Sequence, residues 1–269
     1  MPEPAKSLDS LVAALSAARV YDLEQPRVIG MPAFPAHWPG YHFALGRRHE
    51  AGLERRTSAS GMTYCAEHSG THIDAFCHQA EEMAMFGGVA VTAAVQTQAG
   101  FKSLGVETIE PILRRGVLLD LAPGGPLPAG TLVGVADLER AAARQGTQVR
   151  PGDVLLVRLG WGARWADAAL YLEAPGMDRE AAEWAAGRGV FAVGADNMAW
   201  DLPGYVDPVL GSSLPCHVVL LVRHGVHMIE NLMLEELAAA GVTEFLFACV
   251  PLKYVGGTAS AVRPLALAP

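Results

Sequence analysis

The residues best suited to chemistry lie in the segment HSGTHIDAFCH, which runs from 68 to 78. This segment contains His68, His72, Asp74 and His78. Two imidazoles and a carboxylate form a nitrogen and oxygen donor set that suits Zn²⁺, Mn²⁺ or Fe²⁺ and leaves positions for water and substrate. A single histidine is usually an ordinary core or surface residue, but this joint pattern favours a metal site.

No regular element can gather this donor set. On a straight strand, at about 3.3 Å per residue, His68 and His72 would stand about 13 Å apart, too far for ligand bonds of about 2.1 Å to one ion. On a helix these two histidines would meet, but Asp74 would lie about 240° around the axis from His68. A bent segment brings all three together. The sequence predicts the bend at Gly70-Thr71, because glycine tolerates backbone angles closed to other residues.

Strands and helices alternate from about residue 116 onward. The apolar runs predicted as strands lie at 116–122, 154–160, 190–196 and 244–250, with a further apolar run at 217–222. Helical patterns lie at 136–146, 178–189 and 234–241, where Asp178 is a candidate N-cap and Gly146 and Gly241 are candidate helix ends. Because no linker-like change of composition interrupts this alternation, we predict one α/β domain over 1–269.

The N-terminal region has a different character, and we assign a helix and a proline- and aromatic-rich arm to about 1–46. Apolar residues at helical spacing predict the helix over 7–18. The stretch 26–46 contains too many prolines for a regular helix or a central strand. Such an ordered loop is typical of a binding site, in which Phe34, Trp38 and Tyr41 would contact substrate, but an arm that packs on a neighbouring subunit is equally compatible.

Composition excludes several other classes of protein. Hydrophobic residues make up 51% of the chain and charged residues 18%, which argues against intrinsic disorder. A net charge of −8, without basic runs, argues against nucleic-acid binding. The sequence contains no apolar run of about 20 residues, no secretory signal and no CxxC pair. We therefore expect a cytoplasmic protein with reduced cysteines, without a nucleic-acid or membrane partner.

The segment 68–78 resembles the signature HxGTHxDxPxH of the metal-dependent cyclase family, which includes bacterial kynurenine formamidases and isatin hydrolases. The matching positions are His68, Gly70, Thr71, His72, Asp74 and His78. Phe76 replaces the proline of the signature, and we count it among the candidate substrate contacts. Similarity extends to 30–35, 151–162, 193–201, 214–232 and 251–267, so that it covers nearly the whole chain.

The resemblance implies a swivelling β/β/α-type fold with a mixed β-sheet and outer helices. It also implies that the chain binds one or two divalent ions, Zn²⁺ or Mn²⁺. The roles that it assigns are metal ligands for His68, His72 and Asp74, the acid–base group for His78, and ligands of a second ion for His217 and Glu230. His224 and His227 are competing candidates for this second position.

These observations together predict a hydrolase that opens or cleaves a C–N bond in a small aromatic amide, lactam or formamide. The turn 256–260 could supply backbone N–H donors, and Ser260 or Arg263 could orient a substrate carboxylate, although a plain glycine turn fits equally well. Two alternatives are an enzyme that closes rings in aromatic polyketides and a metal-dependent binding protein without turnover. Members of the family are dimers or tetramers, so we expect a homodimer or homotetramer whose other partner is a small-molecule substrate.

Overall fold

The chain folds around a nine-stranded mixed β-sheet. The structure, a computed structural model, describes residues 7–52 and 55–269, so the first six residues of the segment predicted at 1–46 lie outside the described residues. The strands are β1 (Arg19–Asp22), β2 (His42–Arg47), β3 (Ser60–Tyr64), β4 (His72–Asp74), β5 (Ala84–Met85), β6 (Val89–Ala90), β7 (Gln96–Thr97), β8 (Gly100–Phe101), β9 (Ile112–Asp120), β10 (Leu132–Val133), β11 (Val154–Arg158), β12 (Gly176–Met177), β13 (Ala192–Ala195), β14 (Val206–Asp207), β15 (Ser212–Ser213), β16 (His227–Glu230), β17 (Glu244–Cys249), β18 (Ala259–Ala261) and β19 (Leu265–Ala268). The helices are α1 (Leu8–Ala17), α2 (Val135–Gln145), α3 (Ala168–Tyr171), α4 (Arg179–Gly187), α5 (Pro215–His217), which continues as a π-helix over Val218–His224, and α6 (Glu235–Ala239).

The central part of this sheet is parallel and its two flanks are antiparallel. The strand order is β1-β19-β17-β9-β11-β13-β16-β4-β18. Strands β9, β11, β13 and β16 pair in parallel, whereas β17 and β4 pair antiparallel with β9 and β16, respectively. Helices α2 and α4 connect successive parallel strands. The predicted α/β fold with a mixed sheet and outer helices is confirmed.

Local sequence signals explain where the crossover helices begin and end. The Asp178 side chain accepts a hydrogen bond from the Ala181 N–H at 2.7 Å and caps the start of α4. Gly146 ends α2 with a φ of 62°, a backbone angle that favours glycine. The apolar run at 217–222, whose type the sequence leaves open, is helical.

Core residues cover both faces of the sheet. In β9, Val117 and Leu119 pack in one hydrophobic layer and Leu118 packs in the other. Ile73 of β4 belongs to the same layer as Leu118. Since side chains alternate along a strand, His72 and Asp74, on either side of Ile73, point to the opposite face of the sheet.

The arm and the first helix lie largely outside this core. Helix α1 has no buried residue, and every residue of strands β2 and β3, which form a hairpin, is exposed. The hairpin was not predicted, although its exposed position agrees with the exclusion of a central strand from the arm. Among the described residues, no helix combines the length and apolar composition that a membrane crossing requires.

Candidate metal centre and substrate cavity

The predicted bend lies at Gly70. Its φ of +67° is in the left-handed region, and a Cβ atom at this position would stand 2.8 Å from Nη1 of Arg27. The Arg27 guanidinium donates hydrogen bonds to the carbonyl oxygens of Ser69 and Thr71 and so holds both sides of the bend. A larger residue at position 70 would conflict both with the backbone angle and with this guanidinium.

The bend brings together the three donors that the sequence predicts. Nδ1 of His68 lies 3.0 Å from Oδ1 of Asp74, and Nε2 of His72 lies 3.5 Å from the same oxygen. Their candidate ligand atoms all lie within 4.8 Å of one another, and the three residues are buried.

The two later residues, His217 and Glu230, reach the same point from other elements. In the sheet register Glu230 pairs with His72, so the two side chains share a face, and Oε2 of Glu230 lies 3.3 Å from Nε2 of His72. His217 ends the short helix α5, and its Nε2 lies 3.3 Å from Oε1 of Glu230 and 3.7 Å from Oδ2 of Asp74. We call His68, His72, Asp74, His217 and Glu230 the polar floor.

Hydrogen bonds to the outside of the polar floor fix the rings of His72 and His217. Nδ1 of His72 donates to the Gly70 carbonyl at 2.8 Å, and Nδ1 of His217 donates to a carboxylate oxygen of Asp201 at 2.7 Å. A carbonyl or carboxylate oxygen can only accept, so each Nδ1 carries the proton. In the neutral form of each ring, the lone pair on Nε2 therefore faces the carboxylates of the polar floor.

Two consecutive hydrogen bonds, through Thr258 to Glu67, fix the ring of His68. The Thr258 hydroxyl donates to Glu67 at 2.8 Å and lies 2.9 Å from Nε2 of His68. Because that hydroxyl uses its own hydrogen toward Glu67, Nε2 of His68 is the donor in the second bond. Nδ1 of His68 then presents its lone pair to Asp74.

Four polar atoms of the floor are buried without a hydrogen-bond partner among the described residues. They are Nε2 of His72, both carboxylate oxygens of Asp74 and Oε1 of Glu230. Lone pairs of imidazole and carboxylate that face one another repel, and burying them unpaired is costly. A divalent ion would satisfy these atoms together, and the mixed nitrogen and oxygen donors fit such an ion.

The electrostatics of the polar floor favour positive charge. Burial alone lowers the pKa of His72, but the carboxylates of Asp74 and Glu230 outweigh it and raise the pKa above its usual value. Burial also opposes protonation of His217, whereas its contacts with Asp201 and Glu230 raise its pKa well above the usual value. Burial and then the charge of Asp74 raise the pKa of Glu230. A proton or a divalent ion can supply the charge that this cluster attracts.

His78 stands beside the polar floor, at the end of the 3₁₀ turn Phe76–His78. Its ring centroid lies 4.0 Å from that of His68 and 5.8 Å from that of His217. Burial lowers the pKa of His78 well below its usual value, against the attraction of Asp74. The Gln79 amide nitrogen donates to Nε2 of His78 at 3.2 Å. His78 is therefore a neutral imidazole placed at the edge of the donor cluster.

His37 of the arm is a site residue that the sequence prediction missed. Its ring stacks on His68, with centroids 4.3 Å apart and an interplanar angle of 17°. Burial, and then the nearby imidazoles of His68 and His72, lower its pKa to about 4. The available signal was its position within the proline- and aromatic-rich arm, for which a binding role was one of two interpretations.

A cavity of about 190 Å³ opens next to the polar floor. Its apolar wall consists of Phe34, Ala36, Met198, Ala199 and Leu214, and its polar lining consists of His37, His68, His78, Gln79, His217 and Glu230. Pockets for drug-sized ligands usually measure about 300–1,000 Å³, so this cavity suits a smaller molecule. Its lining, taken from the described residues, includes neither lysine nor arginine.

Of the four predicted aromatic contacts, Phe34 lines this cavity. Trp38 is 75% exposed, and Tyr41 packs against the hydrophobic core. Phe76 stacks on His227 at a centroid distance of 4.0 Å, outside the cavity lining. The arm therefore reaches the cavity through Phe34, Ala36 and His37.

The structure does not bring Ser260 or Arg263 to the cavity. Ser260 pairs with Ile73 in the sheet register, so its side chain shares a face with Ile73 and points away from Asp74. Its hydroxyl donates to the Ala261 carbonyl at 2.8 Å. The side chain of Arg263 is 70% exposed and binds Asp22 at 2.6 Å.

The remaining candidates from the C-terminal half also lie outside the polar floor. The N–H groups of Gly256, Gly257 and Thr258 already donate to protein oxygens, which leaves them no hydrogen for a substrate. His224 is exposed, and Nδ1 of His227 donates to the backbone carbonyl of Asp74 at 3.0 Å.

The chain is similar to known proteins in sequence and in fold. A sequence model of the cyclase family, described as "Putative cyclase", matches residues 21–202. The chain is 25% identical over 268 residues to a kynurenine formamidase of Polaromonas naphthalenivorans (strain CJ2), covering 98% of both chains. Among solved structures, it resembles a crystal structure of a novel cyclase with a TM-score of 0.82 and 29% identity, over 97% of this chain and 91% of the other. It also matches the fold of isatin hydrolase A from Ralstonia solanacearum, with a TM-score of 0.78 and 24% identity over 100% of both chains.

Proposed function

We propose that this chain, which belongs to the cyclase family, is a metal-dependent hydrolase that cleaves a C–N bond in a small, uncharged aromatic amide, lactam or formamide. The observation that carries the proposal is the convergence of unpaired, buried lone pairs on Asp74, Glu230 and His72 beside a small apolar cavity. Similarity to a kynurenine formamidase along the whole chain supports an amide as the bond that is cleaved.

The cavity lining supports an uncharged substrate. Phe34, Met198 and Leu214 offer apolar surface on which a planar ring can pack. The polar residues of the lining either belong to the polar floor or contact it through His68 or His78. The described lining contains no lysine or arginine that would neutralise a carboxylate at the far end of a substrate. Burying an unpaired charge against such a wall is costly, so charged substrates are disfavoured.

The polar floor has donors for one or two ions. His68, His72 and Asp74 would hold the first, and His217 and Glu230, with Asp74 shared, would hold the second. We propose Zn²⁺ or Mn²⁺, since both accept imidazole and carboxylate ligands. A bound divalent ion supplies a water whose pKa is near 7 and polarises the carbonyl of the substrate.

His78 would move the proton in this reaction. The pKa of His78 lies well below its usual value, so the ring is neutral near pH 7 and can accept a proton from the attacking water. The same ring can return that proton to the nitrogen that leaves, which would otherwise depart as an unstable anion. His78 lines the cavity together with residues of the polar floor and of the apolar wall, which supports this role.

Isotope labelling separates hydrolysis from ring closure. Purified, metal-loaded protein would be incubated in H₂¹⁸O with formanilides and aromatic lactams, and products would be analysed by mass spectrometry. Hydrolysis predicts one ¹⁸O atom in the product carboxylate. Turnover of a ring-closing substrate without label would support the polyketide-type alternative, and ligand-induced stabilisation without any turnover would support a binding protein.

We also propose that the chain forms a homodimer or homotetramer through its exposed N-terminal elements. Leu8, Leu11 and Val12 of α1 are more than half exposed, and strands β2 and β3, which among the described residues pair only with each other, contain no buried residue. An isolated hairpin is marginally stable in water, so contact with a second copy would stabilise it. Size-exclusion chromatography with light scattering tests this, and a monomer at micromolar concentration would contradict it.

A further inference from the structure

We propose that Asp201 is a positioning residue of the metal centre, which holds the His217 ring with Nε2, rather than Nδ1, toward the ion. The inference rests on the proposed metal centre but not on the substrate or the reaction. Asp201 is completely buried and is 16 residues distant from His217 in the chain. Its side chain is separate from the donor set of the polar floor, so its effect on an ion would pass through His217.

Both carboxylate oxygens of Asp201 accept hydrogen bonds from residues of helix α5. Oδ1 accepts the Cys216 N–H at 2.6 Å, and Oδ2 accepts the Nδ1–H of His217 at 2.7 Å. The backbone of Asp201 is itself anchored, because Met177 pairs with it as a β-bridge and its carbonyl accepts a bond from the Asn197 amide at 3.3 Å. One carboxylate therefore fixes both the backbone position and the ring orientation of His217.

The carboxylate also selects which nitrogen of His217 carries the proton. In Asp201→Asn the side chain has one acceptor and one donor end. The Cys216 N–H can only donate and must be satisfied by the amide oxygen, so the amide NH₂ would face Nδ1 of His217. Nδ1 would then have to accept, and the proton would move to Nε2, the nitrogen that faces Asp74 and Glu230. A ring protonated at that nitrogen cannot bind an ion there.

The hydrogen-bond acceptor of the His217 ring differs in charge from the acceptors of the other two histidines of the floor. His72 donates to a backbone carbonyl and His68 to a hydroxyl, which are both uncharged acceptors. Asp201 offers a carboxylate, which makes the opposite ring nitrogen a stronger ligand. The loss of this single group should therefore weaken ion binding measurably.

The test is the zinc affinity of purified protein, measured by competition with a chelator of known affinity. Wild type would be compared with Asp201→Asn, His217→Ala and the double variant. We expect Asp201→Asn to weaken binding of the zinc ion that His217 holds by about 10- to 100-fold, and the double variant to bind that ion no more weakly than His217→Ala alone. Wild-type affinity in Asp201→Asn, or an equal further loss in the His217→Ala background, would overturn the inference.

Asp196→Asn is the matched control. Asp196 is equally buried and accepts three backbone N–H groups, from Leu159, Trp161 and Gly162, without touching a donor of the polar floor. We expect this variant to lose thermal stability and to keep the zinc affinity of wild type. Equal loss of affinity in both Asp variants would mean that any buried carboxylate in this region acts through the fold, which would overturn the inference.

Nitrogen-15 NMR of wild-type, zinc-loaded protein decides the question even if Asp201→Asn does not fold. We expect His217 to show a protonated Nδ1 and a zinc-bound Nε2, and the reverse assignment would overturn the inference. A wild type that binds no zinc would overturn it together with the metal centre. Zinc binding without amide hydrolysis would contradict only the proposed function, and the affinity comparison would still decide the role of Asp201.

Discussion

The polar floor and the apolar wall of the cavity are held in place in different ways. Each histidine of the floor has its outer nitrogen tied to a defined acceptor, and its carboxylates are buried within the sheet. The wall is formed by the proline-rich arm and by loops, and Phe34 and Leu214 in it are only partly buried. The contrast predicts that the hydrogen-bonded floor determines the chemistry, whereas the partly buried Phe34 and Leu214 can be changed without disturbing the ion.

The largest effect is expected from the floor itself. His72→Ala removes a buried nitrogen that faces both Asp74 and Glu230. We expect loss of stoichiometric metal and a fall in activity of more than about 100-fold, the upper range for loss of an outer-shell partner. Metal content would be measured by elemental analysis, with the exposed His224→Ala as the control. Wild-type metal content and activity in His72→Ala would contradict the assignment of the polar floor as the metal-binding region.

His78 lies between the floor and the wall. A variant at this position distinguishes a loss of catalysis from a loss of ion binding. We expect His78→Gln to lower kcat by about 10²- to 10⁴-fold, because a general acid–base group is lost. Metal content should stay at the wild-type level. Loss of metal in this variant would instead assign His78 to the donor set.

The wall should affect substrate affinity without affecting metal. Phe34→Ala removes the aromatic surface that lines the cavity, and fully burying such a side chain contributes about 1.5–3 kcal/mol. We expect KM for aromatic substrates to rise by about tenfold, with metal content unchanged. Trp38→Ala is the matched control from the same arm, since Trp38 is outside the lining. A larger effect of Trp38→Ala than of Phe34→Ala would show that the arm binds substrate in another arrangement.

The smallest effect is expected from Arg263, which the sequence offered as a carboxylate-binding residue. Its side chain is exposed and paired with Asp22, outside the cavity. We expect Arg263→Gln to leave KM and metal content unchanged for neutral and for carboxylate-bearing amides. A selective rise in KM for the carboxylate-bearing amides would contradict the position of the cavity.

The sequence predicted the parts of the site that depend on local spacing. The metal-ligand candidates on both sides of Gly70 can meet only if the chain bends there. Glycine is required at the bend because it tolerates the positive φ and has no Cβ that would clash with Arg27. The alternation of apolar and helical runs from 116 onward predicted β9, β11, β13 and β17 and the crossover helices α2 and α4, since those elements are set by local periodicity. It did not predict the parallel strand β16 or the direction of any strand.

Features that depend on long-range register could not be predicted in the same way. The side of β18 on which Ser260 lies follows from its pairing with Ile73, and a shift of one residue would reverse it. The contact of Asp201 with His217 arises only when a loop and a short helix meet in the fold. The arm gave two equal interpretations, and its sequence carries no signal that separates His37 and Phe34 from the exposed Trp38.

The most direct test of the metal centre is a crystal structure of protein purified without chelator, with data collected at the zinc and manganese absorption edges. We predict an anomalous peak in contact with Nδ1 of His68, Nε2 of His72 and the Asp74 carboxylate. An ion bound elsewhere, or the absence of any ion at these atoms after incubation with zinc and manganese, would contradict the proposal.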